Sequence, residues 1–370
     1  MNRVADVIRD DIKVMTAYQV ADLPEGFIKL DAMECPHHPF AGYESLLSEW
    51  ADLAKQAPIH LYPHTAKSGI YEELREVFGI PDKAEIALGN GSDELIQFLT
   101  MLVAKPNARV LGIEPSFVMY RHNAALYGME YVGVPLNPDF SLNLPAVLTA
   151  IEQHQPSLIF IAYPNNPTGV CFKREEVEAI IRAATGIVVV DEAYGAFHHN
   201  SFLPWAGEVE NLVVMRTISK IGFAGLRMGY AAASPSIMGE LAKILPPYNM
   251  NQLSLAAAKF SLKHHQIIQQ NIDALKNERS RVMNELLKLN RLEVFPSEAN
   301  FITVRVPDAN GLFETLKQNR ILIKKLHGSH PLLDQCVRIT IGSAAQNDAV
   351  LAVIKNLYPN LLFQGNYHYE

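Results

Sequence analysis

The sequence predicts an α/β protein: a large domain with a mostly parallel sheet sandwiched between helices, plus a smaller α+β domain. Three observations carry that expectation. Apolar runs such as LIFIAYP and IVVVDEA are nearly uninterrupted, as strands buried on both faces require. Helix-period stretches separate many of these runs, the order that βαβ units impose. Past PPYNMN (246–251) the pattern changes to a long helical tract, then to shorter strand and helix segments.

Taken in order, MNRVADVIRDDIKVM sets Val4, Val7, Ile8, Ile12 and Met15 at helical spacing, so a helix is expected there. An extended piece at 28–31 and the loop ECPHHPF (34–40) precede helical patterns at 43–55 and 68–77. A strand at 85–88 runs through GNGSDE (89–94) into an apolar helix at 95–103. Strand-like runs follow at 109–113, 131–134, 158–163, 187–190, 212–215 and 230–233, with helical patterns at 116–126, 144–154 and 173–184. One helical tract covers 253–289. Beyond it, runs at 292–295, 301–306, 321–324 and 337–341 alternate with helices at 311–319 and 345–357. The expected division is a large domain at 46–260 and a small one at 261–370, with residues 1–45 packing against the latter.

Composition bounds the function. The chain of 370 residues is 49% hydrophobic, enough for two well-formed cores. A net charge of −7 argues against a nucleic-acid or anionic-membrane surface. No apolar run reaches the length of about 18 residues that a membrane span needs, so a soluble, cytoplasmic protein is expected. Cys35, Cys171 and Cys336 are far apart and form no CxxC pair, which suits a reducing compartment. The adjacent histidines at 37–38, 198–199 and 264–265 diverge in either a strand or a helix, so no metal site is expected.

The chemistry concentrates in four loops. RTISKIGFAGLR (216–227) sets Lys220 between an apolar run and a glycine turn, with Ile218 and Ile221 to hold its stem and the hydroxyls of Thr217 and Ser219 near its amine. A buried lysine amine loses its proton more easily, which suits condensation with an aldehyde. In GNGSDE, Ser92 and Asp93 fall where free helix N–H groups meet an anion, or where either would act as an N-cap. YPNNPTG (163–169) presents Asn166 from a stiff backbone. IVVVDEAYG ends an apolar strand on Asp191, with Tyr194 three residues on; a carboxylate there needs a partner. One amine, one buried acid, an amide, a phenol and several anion anchors are what pyridoxal 5′-phosphate (PLP) requires.

GNGSDELI, YPNNPTG, VVVDEAY, RTISKIGFAGLRMGY, PPYNMN and VRITIG occur in that order. Together they resemble the histidinol-phosphate aminotransferase family of fold type I PLP enzymes, from about residue 18 to about 342. The resemblance implies transamination between L-histidinol phosphate and 2-oxoglutarate, giving imidazole acetol phosphate and L-glutamate, in histidine biosynthesis. It implies that Lys220 attaches the cofactor and moves the proton, Asp191 partners the pyridine nitrogen, and Tyr194 and Asn166 meet the ring hydroxyl. Ser92, Asp93, Thr217, Ser219 and Arg227 match phosphate contacts, and Phe117 stands where the family stacks a tyrosine on the ring. Tyr62 matches a residue that reaches the neighbouring subunit's cofactor, which implies a homodimer. Arg338 matches the arginine that holds the substrate anion, with Tyr18 and Lys324 as further substrate contacts.

There are departures from the family pattern. MECPHH replaces NENPYG, putting Cys35 and His37 near the expected substrate entrance, and Lys324 stands where a second arginine is common. An aromatic or general amino-acid aminotransferase, or a phosphate-ester amino-acid decarboxylase, would share the same core motifs. A PLP-binding regulatory module would need a fused DNA-binding domain, for which the chain before residue 29 is too short.

Overall fold

The computed structural model describes residues 5–17 and 24–359, arranged around two sheets. The smaller sheet has the order β1 (Ile28–Leu30), β11 (Ile321–Lys325), β12 (Cys336–Thr340), β10 (Phe301–Arg305), β9 (Glu293–Val294). The larger has the order β2 (Glu85–Asn90), β8 (Met228–Ala233), β7 (Leu212–Thr217), β6 (Ile187–Asp191), β5 (Leu158–Ala162), β3 (Arg109–Glu114), β4 (Glu130–Pro135). The helices are α1 (Asp10–Lys13), α2 (Glu44–Gln56), α3 (Ile70–Phe78), α4 (Ser92–Val103), α5 (Val118–Leu126) and α6 (Leu144–His154). They continue with α7 (Arg174–Ala183), α8 (Pro235–Leu241), α9 (Gln252–Lys263), α10 (His265–Leu287), α11 (Ala309–Gln318) and α12 (Ala344–Leu357).

Five strands of the larger sheet, β4, β3, β5, β6 and β7, pair in parallel; β8 runs antiparallel beside β7, and β2 pairs antiparallel with β8 and so runs with the other five. The mostly parallel sheet expected from the apolar runs is therefore present. Its strands are buried on both faces, and side-chain alternation sorts them into two cores. Val188, Val190, Ile159, Ile161, Leu212 and Val214 enter one core, while Val189, Phe160, Leu158, Val213 and Met215 enter the other. In the smaller sheet β1 pairs in parallel with β11, Ile28 opposite Ile321.

Two expectations need correction. The N-terminal segment is not one helix: among the described residues it holds a 3₁₀ turn at Ala5–Val7 and the single turn α1. Val7 and Val14 are each 82% exposed, so no layer among the described residues covers that apolar side, and a helix this short cannot hold itself. The tract at 253–289 is two helices, broken at His264, whose backbone leaves the helical region at φ −103°, ψ 30°. Its ring packs edge-on against Phe40, with centroids 6.0 Å apart. No glycine or proline marks that break.

One buried ion pair ties the sheet just beyond its functional edge. Glu192, directly after β6, accepts from Arg216 of β7 at 2.7 and 2.9 Å, from Ser201 Oγ at 2.8 Å and from the Phe202 N–H at 2.6 Å. Its side chain has no exposure, and Arg216 only 13%. Removing one partner of a buried pair strands the other charge. Glu192→Ala is expected to lower the unfolding free energy by about 3 kcal/mol in denaturant titration; a change below about 1 kcal/mol would show that water reaches Arg216 instead.

Candidate active site

The C-terminal ends of β5, β6 and β7 open into a cavity of about 210 Å³. This is the edge at which open parallel sheets bind ligands. Ala162, Asp191 and Met215 are register partners, so their side chains leave the same face, and Thr217 follows two residues after Met215. Asp191 is 4% exposed. Its Oδ2 accepts from the Tyr120 hydroxyl at 2.7 Å and its Oδ1 from the Ala193 N–H at 3.0 Å. Both partners are neutral, and no salt bridge to Asp191 occurs among the described residues. Burial pushes its carboxyl up to about 6, against the lowering effect of those two bonds.

Lys220 sits in the 3₁₀ turn Ser219–Ile221 between the buried Ile218 and Ile221. Its amine is not held by the nearby hydroxyls, as the sequence suggested. Thr217 Oγ lies 2.8 Å from Ser219 Oγ and 3.0 Å from the Met228 carbonyl, so those hydroxyls satisfy each other. Lys220 Nζ instead lies 3.4 Å from the Ala32 carbonyl and 5.8 Å from the centre of the Tyr194 ring. Desolvation, helped by the charge of Arg338, lowers the amine to about 8. Cys35 donates from Sγ to the Lys220 carbonyl at 3.2 Å, and burial pushes its thiol up to about 12. Cys35 and His37 do not line the cavity, contrary to the substrate-entrance expectation; they face a neighbouring cavity against Ile221 and Gly222.

Ser92 and Asp93 reach the cavity, but neither is the N-cap of α4. Gly91 is, at φ +81°, a conformation that displaces the serine into the first helical position. The turn is tight: a Cβ on Gly229 would meet the Ser92 nitrogen at 2.6 Å, and one on Gly91 the Arg227 guanidinium at 2.6 Å. Arg227 Nη2 lies 3.6 Å from Asp93 Oδ2. Phe117 lines the wall above Asp191, edge-to-face with Tyr120 at 5.8 Å. Tyr194 is buried against the edge of Phe301.

Asn166 accepts at Oδ1 from Arg338 Nη1 at 2.6 Å, and Arg338 Nη2 donates to the Asp31 carbonyl at 2.7 Å. Arg338, 7% exposed, is thus no surface arginine; it bridges the small sheet to the loop after β5. Lys324 is its register partner on β11. Tyr62 is absent from this cavity: it is 75% exposed and stacks on Tyr248 at 4.8 Å. Tyr18 lies outside the described residues. Tyr120 is a site residue that motif reading missed; its only signal was its place three residues after Phe117, one helical turn along.

These residues fit PLP. A buried carboxylate with only neutral donors suits a protonated ring nitrogen, and a buried amine near pKa 8 suits an aldehyde. The hydroxyls of Ser92, Thr217 and Ser219 with Arg227, at the start of a 12-residue helix, suit a phosphate. The raised Asp191 pKa carries a sign. Its favourable contribution is complete below the unfolded value of about 3.9 and is lost as pH rises through about 6. Cofactor-free Asp191→Asn is therefore expected to be more stable than cofactor-free wild type at pH 8, by about 2–3 kcal/mol, and the gap should close toward pH 4. Thermal or urea melts at the two pH values check it, and a gap independent of pH would refute the assignment.

Comparison with known proteins agrees with this geometry. The chain matches the model of the aminotransferase class I and II family over residues 26–354. The histidinol-phosphate aminotransferase of Neisseria meningitidis serogroup C / serotype 2a (strain FAM18) is 69% identical over 358 residues, spanning 97% of this chain and 98% of its own. That of Chromobacterium violaceum is 51% identical over 356 residues, spanning 96% and 99%. Among solved structures, histidinol-phosphate aminotransferase of Sinorhizobium meliloti in complex with pyridoxal-5′-phosphate superimposes with a TM-score of 0.83 at 24% identity. That match covers 95% of this chain and 98% of the other, and is a likeness of fold. Sequence motifs, sheet order and cavity agree with the family match: this chain belongs to the aminotransferase class I and II family.

Proposed function

We propose that the cavity binds PLP and that the protein transfers the amino group between L-histidinol phosphate and 2-oxoglutarate, giving imidazole acetol phosphate and L-glutamate in histidine biosynthesis. The observation that carries this reading is the pairing, in one cavity, of a buried lysine amine lowered to about 8 with a buried carboxylate that has no cationic partner among the described residues. The long match to histidinol-phosphate aminotransferases supports the choice of substrate.

When bound, PLP supplies an aldehyde carbon for the incoming amine and a protonated ring that withdraws electrons from it. Lys220 would hold that carbon, and its amine, once free and neutral, would be the base that takes the proton from the substrate's amine-bearing carbon. Asp191 would keep the ring nitrogen protonated, held in place by its bonds from Tyr120 and the Ala193 N–H. Tyr194 and Asn166 would hold the ring hydroxyl, and Phe117 would pack against the ring. Ser92, Asp93, Thr217, Ser219 and Arg227 form the phosphate seat. Arg338, with Lys324 and Tyr18, anchors the anionic end of either substrate; its planar fork suits the phosphate of one and a carboxylate of the other.

The same proposal includes a homodimer in which Tyr62 serves the partner's cavity. Its 75% exposure, beside the exposed Ile59 and Leu61, supports a second copy covering this stretch. It also takes residues 1–45 with 261–370 as one domain and 46–260 as the other, supported by the β1–β11 pairing. A cytoplasmic location is supported by three free cysteines with no disulfide.

Two experiments test this. Borohydride reduction of the wild-type holoenzyme should add the cofactor's mass to the peptide carrying Lys220, and Lys220→Ala should lose both that adduct and turnover with histidinol phosphate. Normal turnover by the alanine variant would end the assignment. For the shared site, mixing Tyr62→Ala subunits with Lys220→Ala subunits should restore activity, because a heterodimer has one site with both residues intact. If subunits exchange, as tracked by a mass tag, and no activity returns, Tyr62 acts within its own subunit or not at all.

A further inference from the structure

Next to the Lys220 cavity lies a recess of about 540 Å³ that shares Met33, Phe117 and Asn166 with it. Arg338 and Lys324 also line this recess. They stand directly opposite each other on β12 and β11, so both side chains leave the same face of the sheet. Like charges set opposite one another work against folding. Two cations side by side on a recess are therefore a seat for an anion. Arg338 lines the recess while bonded to Asn166 Oδ1 and the Asp31 carbonyl; of the other nearby cations, Arg121 donates to Glu114 at 2.6 and 3.0 Å, and Lys325 to Asn310 Oδ1 at 2.8 Å.

His330 completes the wall. It caps the 3₁₀ turn Pro331–Leu333, and its Nδ1 accepts from the Leu332 N–H at 3.1 Å. That bond fixes the tautomer, because a neutral ring accepting at Nδ1 carries its proton on Nε2. Desolvation lowers the pKa of the ring, so at neutral pH it is an uncharged donor. Nε2 lies 4.0 Å from Glu114 Oε2, beyond hydrogen-bond length, and Arg121 holds the other carboxylate oxygen, Oε1. The ring thus presents an N–H to the recess. A carboxylate has two oxygens in one plane, which the fork of one arginine can saturate. A phosphate monoester has three terminal oxygens and leaves at least one for a further donor.

We infer that His330 donates its Nε2–H to the phosphate of the amine substrate, seated between it, Lys324 and Arg338, and so selects the phosphate-bearing amine over glutamate. This rests on the histidinol-phosphate reading of the same site.

The test uses the holoenzyme with His330→Asn. An asparagine oxygen can still accept from the Leu332 N–H and keep the turn, while the distal donor is gone. The two half-reactions are measured separately in single turnovers, together with the inhibition constant of inorganic phosphate against glutamate. One hydrogen bond to a charged group is worth about tenfold or more. The expected result is an approximately tenfold or greater fall in kcat/KM for histidinol phosphate and a comparable weakening of inorganic phosphate, with glutamate unchanged within about twofold. His330→Ala should match His330→Asn in the phosphate-dependent values. Equal losses with both substrates would make His330 a loop-shaping residue and overturn the inference, as would unaltered phosphate values. If wild type fails to use histidinol phosphate yet inorganic phosphate still competes and weakens in His330→Asn, the substrate reading falls and the phosphate recess stands.

Discussion

A parallel strand covered on both faces has room for a polar side chain only at its ends. That constraint shapes this molecule. β5, β6 and β7 are buried along almost their whole length, and their C-terminal ends bring Ala162, Asp191 and Met215 into one row. Every other cavity feature is arranged around that row. α5 lays Tyr120 against Asp191, and the turn before α4 brings Ser92 over Gly229. The polar residue just after the row, Glu192, faces away and is neutralised by Arg216. The DE pair of one motif therefore divides its work: one carboxylate faces the cavity, and its neighbour secures the sheet.

Exclusion of water then acts on the two central groups in opposite senses. Desolvation disfavours charge, raising the acid to about 6 and lowering the amine to about 8. The two values approach each other across neutral pH, the range in which an acid and a base can both exchange protons. Two hydrogen bonds to Asp191 offset part of the burial but not all of it. The remaining shift, from 3.8 to about 6, corresponds to about 3 kcal/mol held in an ionised group without a cation. A cationic ligand nitrogen would recover that energy on binding, so the strain in the free protein is also a source of cofactor affinity.

The smaller sheet finishes the site through backbone atoms. Pairing of β1 with β11 brings the segment after β1 to the cavity wall. There the Asp31 carbonyl receives Arg338, the Ala32 carbonyl faces Lys220, the Met33 carbonyl accepts from Asn300, and Cys35 donates to the carbonyl of Lys220. The Arg338–Asn166 bond crosses from one sheet system to the other. Arg338 and the Lys220 turn are thus mechanically joined through three consecutive positions, 31–33, and one near neighbour, Cys35.

By itself the sequence determined the parallel sheet and the four loops at its edge that carry Lys220, Asp191 and Asn166, whereas Arg338 stood out only through the family resemblance. Local chemistry suffices for the sheet and the loops: unbroken apolar runs need two-sided cover, and a polar residue closing such a run must lie at an edge. Only the tertiary structure decided who touches whom. Tyr120 reads as one aromatic among several on a helix; nothing local marks its hydroxyl for Asp191, 71 positions away. The amine of Lys220 turns from hydroxyls one and three residues away toward a carbonyl 188 positions away. The break at His264 and the Gly91 cap follow the same rule, since each is set by what packs against it or by the φ that close approach requires. Periodicity reports which face of an element is buried, but not which partner buries it, and a hydrogen bond across two sheets has no period to read.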